Sequence, residues 1–218
     1  MAGPGLPQPP DISGAATVEI ETLDALRGLY AMPTERAVRK QLSHLDRHCR
    51  QLIALSPFVV LSSCSAARAM DASPRGGEPG FVKVLDERTV LIPDAPGNNR
   101  LDTLENILAT RRIGLLFLVP GVDETLRVNG TAALSCDASH IEACANERRR
   151  PKLVIKVVVG EAYLHCAKAF MRSALWNPAR HVVRTVLPSM GQMINDQTGS
   201  DMPAETEERM RERYARDL

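Results

Sequence analysis

The segment SPRGGEPGF, residues 73–81, places two prolines and three glycines around a single cation, Arg75. Such a composition predicts a short, rigid connection between two strands. A turn of this kind allows the backbone at Gly76 and the guanidinium of Arg75 to approach a phosphate closely. A plain hairpin with Arg75 pointing to solvent is the alternative that the residues leave open.

A second segment, IPDAPGNNRLDTLENIL, residues 92–108, leads from the end of a predicted strand through a Pro/Gly loop into a predicted helix. Asn99 is a favourable N-cap residue, and Asp102 follows three residues later. A helix N-terminus offers free backbone N–H groups and a partial positive charge, which suit a phosphate, and Arg100 would stand beside it. An ordinary capped helix would leave the same pattern.

Near the C-terminus, the sequence CAKAFMRSALW repeats Lys168, Arg172 and Trp176 at four-residue spacing. On a helix this spacing places the three side chains along one side. The stripe could cover a ligand, or Trp176 could simply anchor the helix on the rest of the fold.

The elements that must position these residues are mostly strands. Seven short segments are rich in β-branched or apolar residues and are separated by turns; they begin at Phe58, Ala67, Phe81, Thr89, Ile113, Thr125 and Lys152. Consecutive strands with short connections predict an antiparallel barrel of six to seven strands, with helices at both ends of the chain. No GxGxxG motif is present, which argues against a dinucleotide-binding Rossmann fold.

The first flanking helix is predicted from Thr34 to Pro57, because Val38, Leu42, Leu45, Cys49 and Leu52 recur at spacings of three and four residues. The sequence downstream of Ala162 is again helical. We expect a loose tail at residues 1–16, one barrel domain at residues 17–200, and a C-terminal helix at residues 201–218.

Composition limits the possible partners. The 218 residues carry 27 Lys and Arg against 26 Asp and Glu, so no global charge attracts nucleic acid or an anionic membrane. The five cysteines form no CxxC pair, and the facing set Cys136, His140 and Cys144 lacks a fourth ligand, so we expect neither a disulfide framework nor a metal site. We see no secretory signal and no apolar stretch of roughly 20 residues, which predicts a cytoplasmic protein.

Several motifs in one order resemble a known family. SPRGGEPGF, IPDAPGNNRLDTLENI, GLLFLVPG, LRVNG and AYLHCAKAFMRSALW are similar to motifs of bacterial FMN-binding proteins related to pyridoxamine 5'-phosphate oxidase. The resemblance spans about residues 20–200 and implies a split β-barrel that forms a homodimer, with an FMN in each of two clefts between the subunits.

By this resemblance, Arg75, Asn99 and Arg100 would bind the FMN phosphate and ribityl chain, and the backbone of Ile92 and Pro93 would lie along the flavin edge. Arg127 in LRVNG is a further candidate for contact with the cofactor. The stripe of Lys168, Arg172 and Trp176 would close the cleft of the partner subunit, with its cations facing the flavin or the phosphate and its indole covering the rings.

The sequence also departs from the true oxidases. NNRLD stands where they carry a serine-arginine-lysine phosphate motif, and their C-terminal arginine-leucine-histidine signature is missing. We therefore expect an FMN-dependent oxidoreductase with another small-molecule substrate or electron donor, and we identify no catalytic acid or base. The alternatives are a flavin-binding or redox-sensing module without turnover, and a split barrel that holds a deazaflavin or haem.

Overall fold

The computed structural model describes residues 19–215, so the tail predicted at residues 1–16 lies outside the described residues. The described helices, in chain order, are α1 (Leu23–Gly28), α2 (Glu35–Arg39), α3 (Arg47–Leu55), α4 (Asp102–Thr110), α5 (Ala138–Cys144), α6 (Lys168–Ser173), α7 (Met190–Thr198) and α8 (Glu207–Ala215). The strands are β1 (Phe58–Cys64), β2 (Met70–Gly76), β3 (Lys83–Asp86), β4 (Thr89–Pro93), β5 (Arg112–Leu118), β6 (Thr125–Ser135) and β7 (Val154–His165). Two short 3-10 helices, Pro178–Arg180 and Arg184–Val186, lie between α6 and α7. Within residues 19–215, no helix is long and apolar enough to span a membrane.

The chain divides into two compact units between Arg39 and Lys40. The first contains α1 and α2, neither of which buries a residue. Thr22 caps α1 by accepting the N–H of Ala25, and Glu35 pairs with Arg39 along α2. The second unit contains the sheet and the remaining helices.

The prediction of one helix from Thr34 to Pro57 is wrong. The chain leaves helical geometry between α2 and α3, where Leu42 and Ala162 of β7 exchange two backbone hydrogen bonds of 3.0 and 2.8 Å. Asp46 then starts α3 by accepting the N–H of Cys49 at 2.8 Å. Periodicity alone did not reveal the break, because the sheet edge and the capping aspartate compete with the helix for the same backbone.

All seven strands form one antiparallel sheet in the order β2-β1-β5-β6-β7-β4-β3. This confirms the predicted antiparallel split barrel of six to seven strands with flanking helices.

The hairpin considered for residues 73–81 is wrong, because β2 and β3 lie at opposite edges of the sheet. The strand itself also continues to Gly76, so the connection begins at Gly77 and not at Ser73.

The connection from β2 to β3 is hydrogen-bonded to the two residues that follow α3. The N–H of Gly77 donates to Pro57 O at 3.1 Å, and the N–H of Gly80 donates to Ser56 O at 3.4 Å. Gly80 has a φ of +78° and lies so close to the backbone that a Cβ there would meet Ala54 O at 3.2 Å. Glycine is therefore required at this position.

The sheet curls around one core. β6 pairs with β5 and with β7, and its register with β7 shifts at a bulge between Asn129 and Gly130. Bulges bend a strand and increase its twist. Strands from both halves of the sheet contribute to the same cluster of buried residues, together with Ile53 of α3 and Leu104 and Ile107 of α4. The two helices therefore cover the concave face of the sheet.

The bulge predicts a glycine requirement that can be tested. A Cβ at Gly130 would lie 2.1 Å from Val158 O, a contact that only backbone movement can relieve. Gly130→Ala should therefore destabilise the protein by about 2 kcal/mol or more, as overpacking does when the neighbour cannot yield. Thermal and urea unfolding measure this change. Gly97→Ala is the control, because a Cβ at Gly97 meets nothing within 4 Å; equal stability of the two variants would contradict the bulge geometry.

Candidate functional site

Three polar residues alternate along edge strand β2: Asp71, Ser73 and Arg75. Side chains two residues apart on a strand share one face. Arg75 stands opposite Val59 of β1, which is fully buried in the core. These polar side chains therefore point to the concave face of the sheet, where α4 packs.

Asp71 is the centre of a hydrogen-bond network on this face. Its Oδ2 accepts from Thr103 Oγ1 at 2.6 Å and from Ser63 Oγ at 3.1 Å, and its Oδ1 accepts from Ser73 Oγ at 2.9 Å. Asn106 Nδ2 in turn donates to Ser63 Oγ at 3.0 Å. Thr103 and Asn106 belong to α4, so the network attaches the first half of that helix to β1 and β2.

The network also determines the charge of Asp71. Burial alone would raise the pKa of this carboxyl, but the hydrogen bonds from Thr103, Ser73 and Ser63 and the charge of Arg75 outweigh it, and the pKa lies below its ordinary value. Three hydroxyl donors on one carboxylate favour the ionised form. Asp71 is thus a fixed negative charge at the start of α4.

Two arginines from distant segments lie close enough to influence this carboxylate: the charge of Arg75 helps to lower the pKa of Asp71, and Asp71 helps to raise the pKa of Arg100. Arg75 is half-buried, and its Nη1 donates to Pro74 O at 2.9 Å. Arg100 is exposed and makes a two-pronged pair with Asp102, at 2.8 Å from Nε and 3.4 Å from Nη2. The hydrogen bond and charge of Asp102, together with the more distant Asp71, raise the pKa of Arg100. We name Asp71, Arg75, Arg100 and Asp102 the Asp71 corner.

The start of α4 differs from the sequence prediction. The helix begins at Asp102, and its N-cap position is Leu101, not Asn99. Leu101 has a φ of +60° and no side-chain cap, and Asn99 also adopts a φ of +60°. Asn98 Oδ1 accepts the N–H of Arg100 at 3.1 Å, and this local turn forces the chain to bend before the helix can begin. Consequently, among residues 19–215, no side chain caps the N–H groups of the first turn of α4.

Ile92 and Pro93 end β4 and are both buried. They pair with Ile155 and Val154 of β7 on one side. On the other side, β3 begins at Lys83, opposite Leu91, so β4 extends past β3 by these two residues. Among the described residues, the outer backbone edge of Ile92 and Pro93 therefore faces no strand.

Arg127 lies apart from the Asp71 corner. It stands opposite Leu116 of β5, and Leu116 stands opposite Val60. Val60 and Val59 are neighbours and so face opposite sides of the sheet, and Arg75 shares the side of Val59. Arg127 and Arg75 thus do not converge on one ligand within a single chain.

The predicted helical stripe near the C-terminus is not formed. α6 ends at Ser173, Ala174 adopts a left-handed φ of 48°, and Trp176 lies beyond the helix. The indole of Trp176 donates to Val122 O at 3.0 Å and stacks on Phe170 with 5.5 Å between ring centroids. Lys168 and Arg172 remain on α6 and are exposed, but Trp176 does not share their helical face.

The sequence interpretation identified Arg75 and Arg100 but missed Asp71 and its hydroxyl donors. The period-two spacing of Asp71, Ser73 and Arg75 would have placed them on one strand face, had the strand been extended to Gly76. Thr103 could not be found in this way, because its contact with Asp71 depends on how α4 packs against the sheet.

Asp71 predicts a pH-dependent stability. A carboxyl whose pKa is lowered in the folded state stabilises the fold above its unfolded pKa of about 3.9 and loses that contribution as pH falls through the lower folded value. Asp71→Asn should therefore cost about 1 to 2 kcal/mol at neutral pH, and this cost should shrink below about pH 4. Urea unfolding between pH 7 and pH 3 measures the difference. Asp201→Asn is the control, because Asp201 is exposed and its carboxylate makes no hydrogen bond within residues 19–215; a cost for Asp71→Asn that does not vary with pH would contradict the argument.

A comparison with curated proteins finds no match. Among solved structures, the chain is similar to a putative pyridoxamine 5'-phosphate oxidase from Lactobacillus delbrueckii, with 20% identity, a TM-score of 0.45, and coverage of 57% of this chain and 98% of the other. It is also similar to an FMN-binding protein from Syntrophomonas wolfei (13% identity, TM-score 0.44, coverage 54% and 83%) and to HupZ from Group A Streptococcus (17% identity, TM-score 0.45, coverage 54% and 90%).

The family assignment depends on the family model and not on these distant structures. The model described as Pyridoxamine 5'-phosphate oxidase matches residues 45–166, more than half of the chain. This stretch contains all seven strands of the sheet and the whole Asp71 corner. The chain therefore belongs to the pyridoxamine 5'-phosphate oxidase family.

Proposed function

We propose that this protein binds FMN with its phosphate at the Asp71 corner and acts as an FMN-dependent oxidoreductase. The observation that carries the proposal is the attachment of the start of α4 to β2 through Thr103 and Asp71, which brings together Arg75 on the same face of β2 and Arg100 just before a first helical turn that has no side-chain cap among the described residues. Guanidinium groups and free helical N–H groups are the donors that phosphate prefers. The donor set of this chain therefore fits the phosphate end of FMN.

The charges of the corner show how such an anion would be accommodated. Two arginines and two carboxylates share it, so the corner is close to neutral without a ligand. Arg100 is exposed, and in binding it would exchange its pair with Asp102 for the phosphate. Asp71 stays engaged with its hydroxyl donors and keeps α4 in place. In this proposal, the hydrogen bonds of Asp71 are already in place before binding, whereas the side chain of Arg100 changes its partner when the phosphate binds.

The remaining proposed contacts are to the ribityl chain and the flavin ring. Gly76 and Asn99 lie next in sequence to the two arginines and would bring backbone close to the phosphate and ribityl chain. The free strand edge at Ile92 and Pro93 is suited to the polar edge of a flavin. Bound FMN supplies the electron chemistry, and the protein supplies anchoring, orientation and a cleft.

We propose a small-molecule substrate or electron donor other than pyridoxamine 5'-phosphate, because the arginine-leucine-histidine signature of the true oxidases is absent from this sequence.

The absorption spectrum of the purified protein distinguishes FMN from a deazaflavin or haem. Reduction of the bound flavin by NADH or NADPH, followed by reoxidation by an acceptor, supports an enzyme. A bound flavin that stays inert to every donor supports a binding module without turnover.

The phosphate anchor can be tested by substitution. Arg100→Ala should weaken FMN binding about 10- to 100-fold, because it removes a charge-assisted pair worth about 1.5 to 3 kcal/mol. Arg75→Ala should weaken it to a similar extent. Fluorescence titration of apoprotein with FMN measures both, and Arg148→Ala is the control, since Arg148 is also exposed but lies in the loop before β7. Unchanged affinity in both Arg100→Ala and Arg75→Ala would place the phosphate elsewhere.

We also propose that the protein is a homodimer whose clefts are completed by both subunits, with Lys168 and Arg172 of α6 reaching the partner's flavin. The apolar side chains of Val182, Val183 and Val186 are exposed by 74%, 73% and 57%, which supports a partner surface over this segment.

Light scattering should therefore report about twice the chain mass of 23.8 kDa. Val183→Asp should shift the mass towards the monomer if this segment contributes to the interface, because a carboxylate buried without a partner is costly. A Met32→Asp control changes an equally exposed apolar residue outside the segment. A monomer that retains flavin would contradict the shared cleft.

A further inference from the structure

The face of the sheet opposite the Asp71 corner carries a separate cluster of polar and aromatic side chains. The guanidinium carbon of Arg127 lies 4.5 Å from the ring centroid of Tyr163, and Lys40 Nζ lies 5.2 Å from the same centroid. The rings of Tyr163 and His165 are 5.0 Å apart. We name Lys40, Arg127, Tyr163 and His165 the Tyr163 cluster.

The register of β6 with β7 brings the side chains of this cluster together. Arg127 of β6 stands directly opposite Tyr163 of β7, and His165 follows Tyr163 on the same face. Lys40 is held from outside the strands, because its Nζ donates to Leu164 O at 2.8 Å. The arrangement thus depends on two paired strands and one anchored lysine.

The cluster has two positive charges and no carboxylate partner among residues 19–215. Neither Arg127 nor Lys40 forms an ion pair there, and Arg127 Nε is buried without a hydrogen-bond acceptor. Glu161 lies on the same face of β7, but its carboxylate accepts from Asn129 at 2.6 Å and from Gln41. A buried donor without an acceptor is costly, and the other N–H groups of Arg127 also donate no hydrogen bond within residues 19–215, so they remain available to an acceptor from outside.

The pKa of His165 also responds to the positive charges of the cluster. Its pKa lies below the ordinary value because of burial and because of the positive charges of Arg127 and Lys40. The imidazole is therefore neutral at neutral pH. An anion that joined the cluster would offset both charges and raise the pKa of His165.

We propose that the Tyr163 cluster is a binding site for the oxyanion of a small molecule, a carboxylate or a phosphate, separate from the anchor at the Asp71 corner. Stacking on Tyr163 orients the guanidinium of Arg127 and leaves its N–H groups for an oxyanion, the group that guanidinium binds best. Lys40 adds a second cation on the same ring. The two sites lie on opposite faces of the sheet, so the proposal does not depend on FMN binding.

The test uses the full-length protein with inorganic phosphate, and separately acetate, as probes. The imidazole signals of the five histidines are followed by NMR. The signal that disappears in His165→Gln is assigned to His165. Phosphate or acetate should shift the His165 signal to saturation and raise its pKa. Arg127→Gln and Lys40→Gln should each weaken this binding about tenfold, whereas Lys152→Gln, an exposed lysine elsewhere, should not.

Further variants separate this site from the proposed FMN anchor. Arg100→Ala and saturation with FMN should both leave the effect on His165 unchanged. Loss of the effect in either case would overturn the proposal, because the probe would then occupy the cofactor site. The absence of a saturable shift would overturn it as well, and so would binding in Arg127→Gln and Lys40→Gln as tight as in the unsubstituted protein. A change in oligomeric mass in Arg127→Gln would also overturn it, because the oxyanion would then be a carboxylate of a second copy of the chain.

Discussion

The carboxylate of Asp71 is the interaction on which the proposed site depends. It accepts hydrogen bonds from one residue of β1, one of β2 and one of α4, and so joins a helix to the edge of the sheet. Each bond to an ionised acceptor is stronger than a neutral one, and three of them leave the carboxylate little freedom. This attachment holds the first half of α4 against β1 and β2.

A second constraint is the curl of the sheet. The bulge at Asn129 and Gly130 allows the long strands β6 and β7 to bend, so that both halves of the sheet face one core. Gly130 makes the bend possible, because the backbone of β7 approaches too closely for any side chain. The strand order makes β2 and β3 the two edges of the sheet, so the segment that looks like a hairpin connects one edge to the other.

The two faces of the sheet have different electrostatics. At the Asp71 corner, the charges of two arginines and two carboxylates balance, and Arg100 is held in orientation by Asp102. At the Tyr163 cluster, Arg127 and Lys40 lie over an aromatic ring and form no ion pair within the described residues, because the carboxylate of Glu161 on the same face is hydrogen-bonded to Asn129 and Gln41.

Strand number, antiparallel pairing, the family and the two arginine-bearing segments could all be predicted from the sequence. These depend on local patterns: β-branched runs, turn residues, and motifs in a recognisable order. The start of α4 and the break between α2 and α3 could not, because backbone partners from elsewhere outweigh local preference for a cap or a helix. The Lys168, Arg172 and Trp176 stripe failed for the same reason, since the chain turns at Ala174 and Trp176 binds Val122. Only the tertiary structure decided that Arg75 and Arg127 face opposite sides of the sheet, because the face of a strand residue is determined by its register with strands distant in sequence.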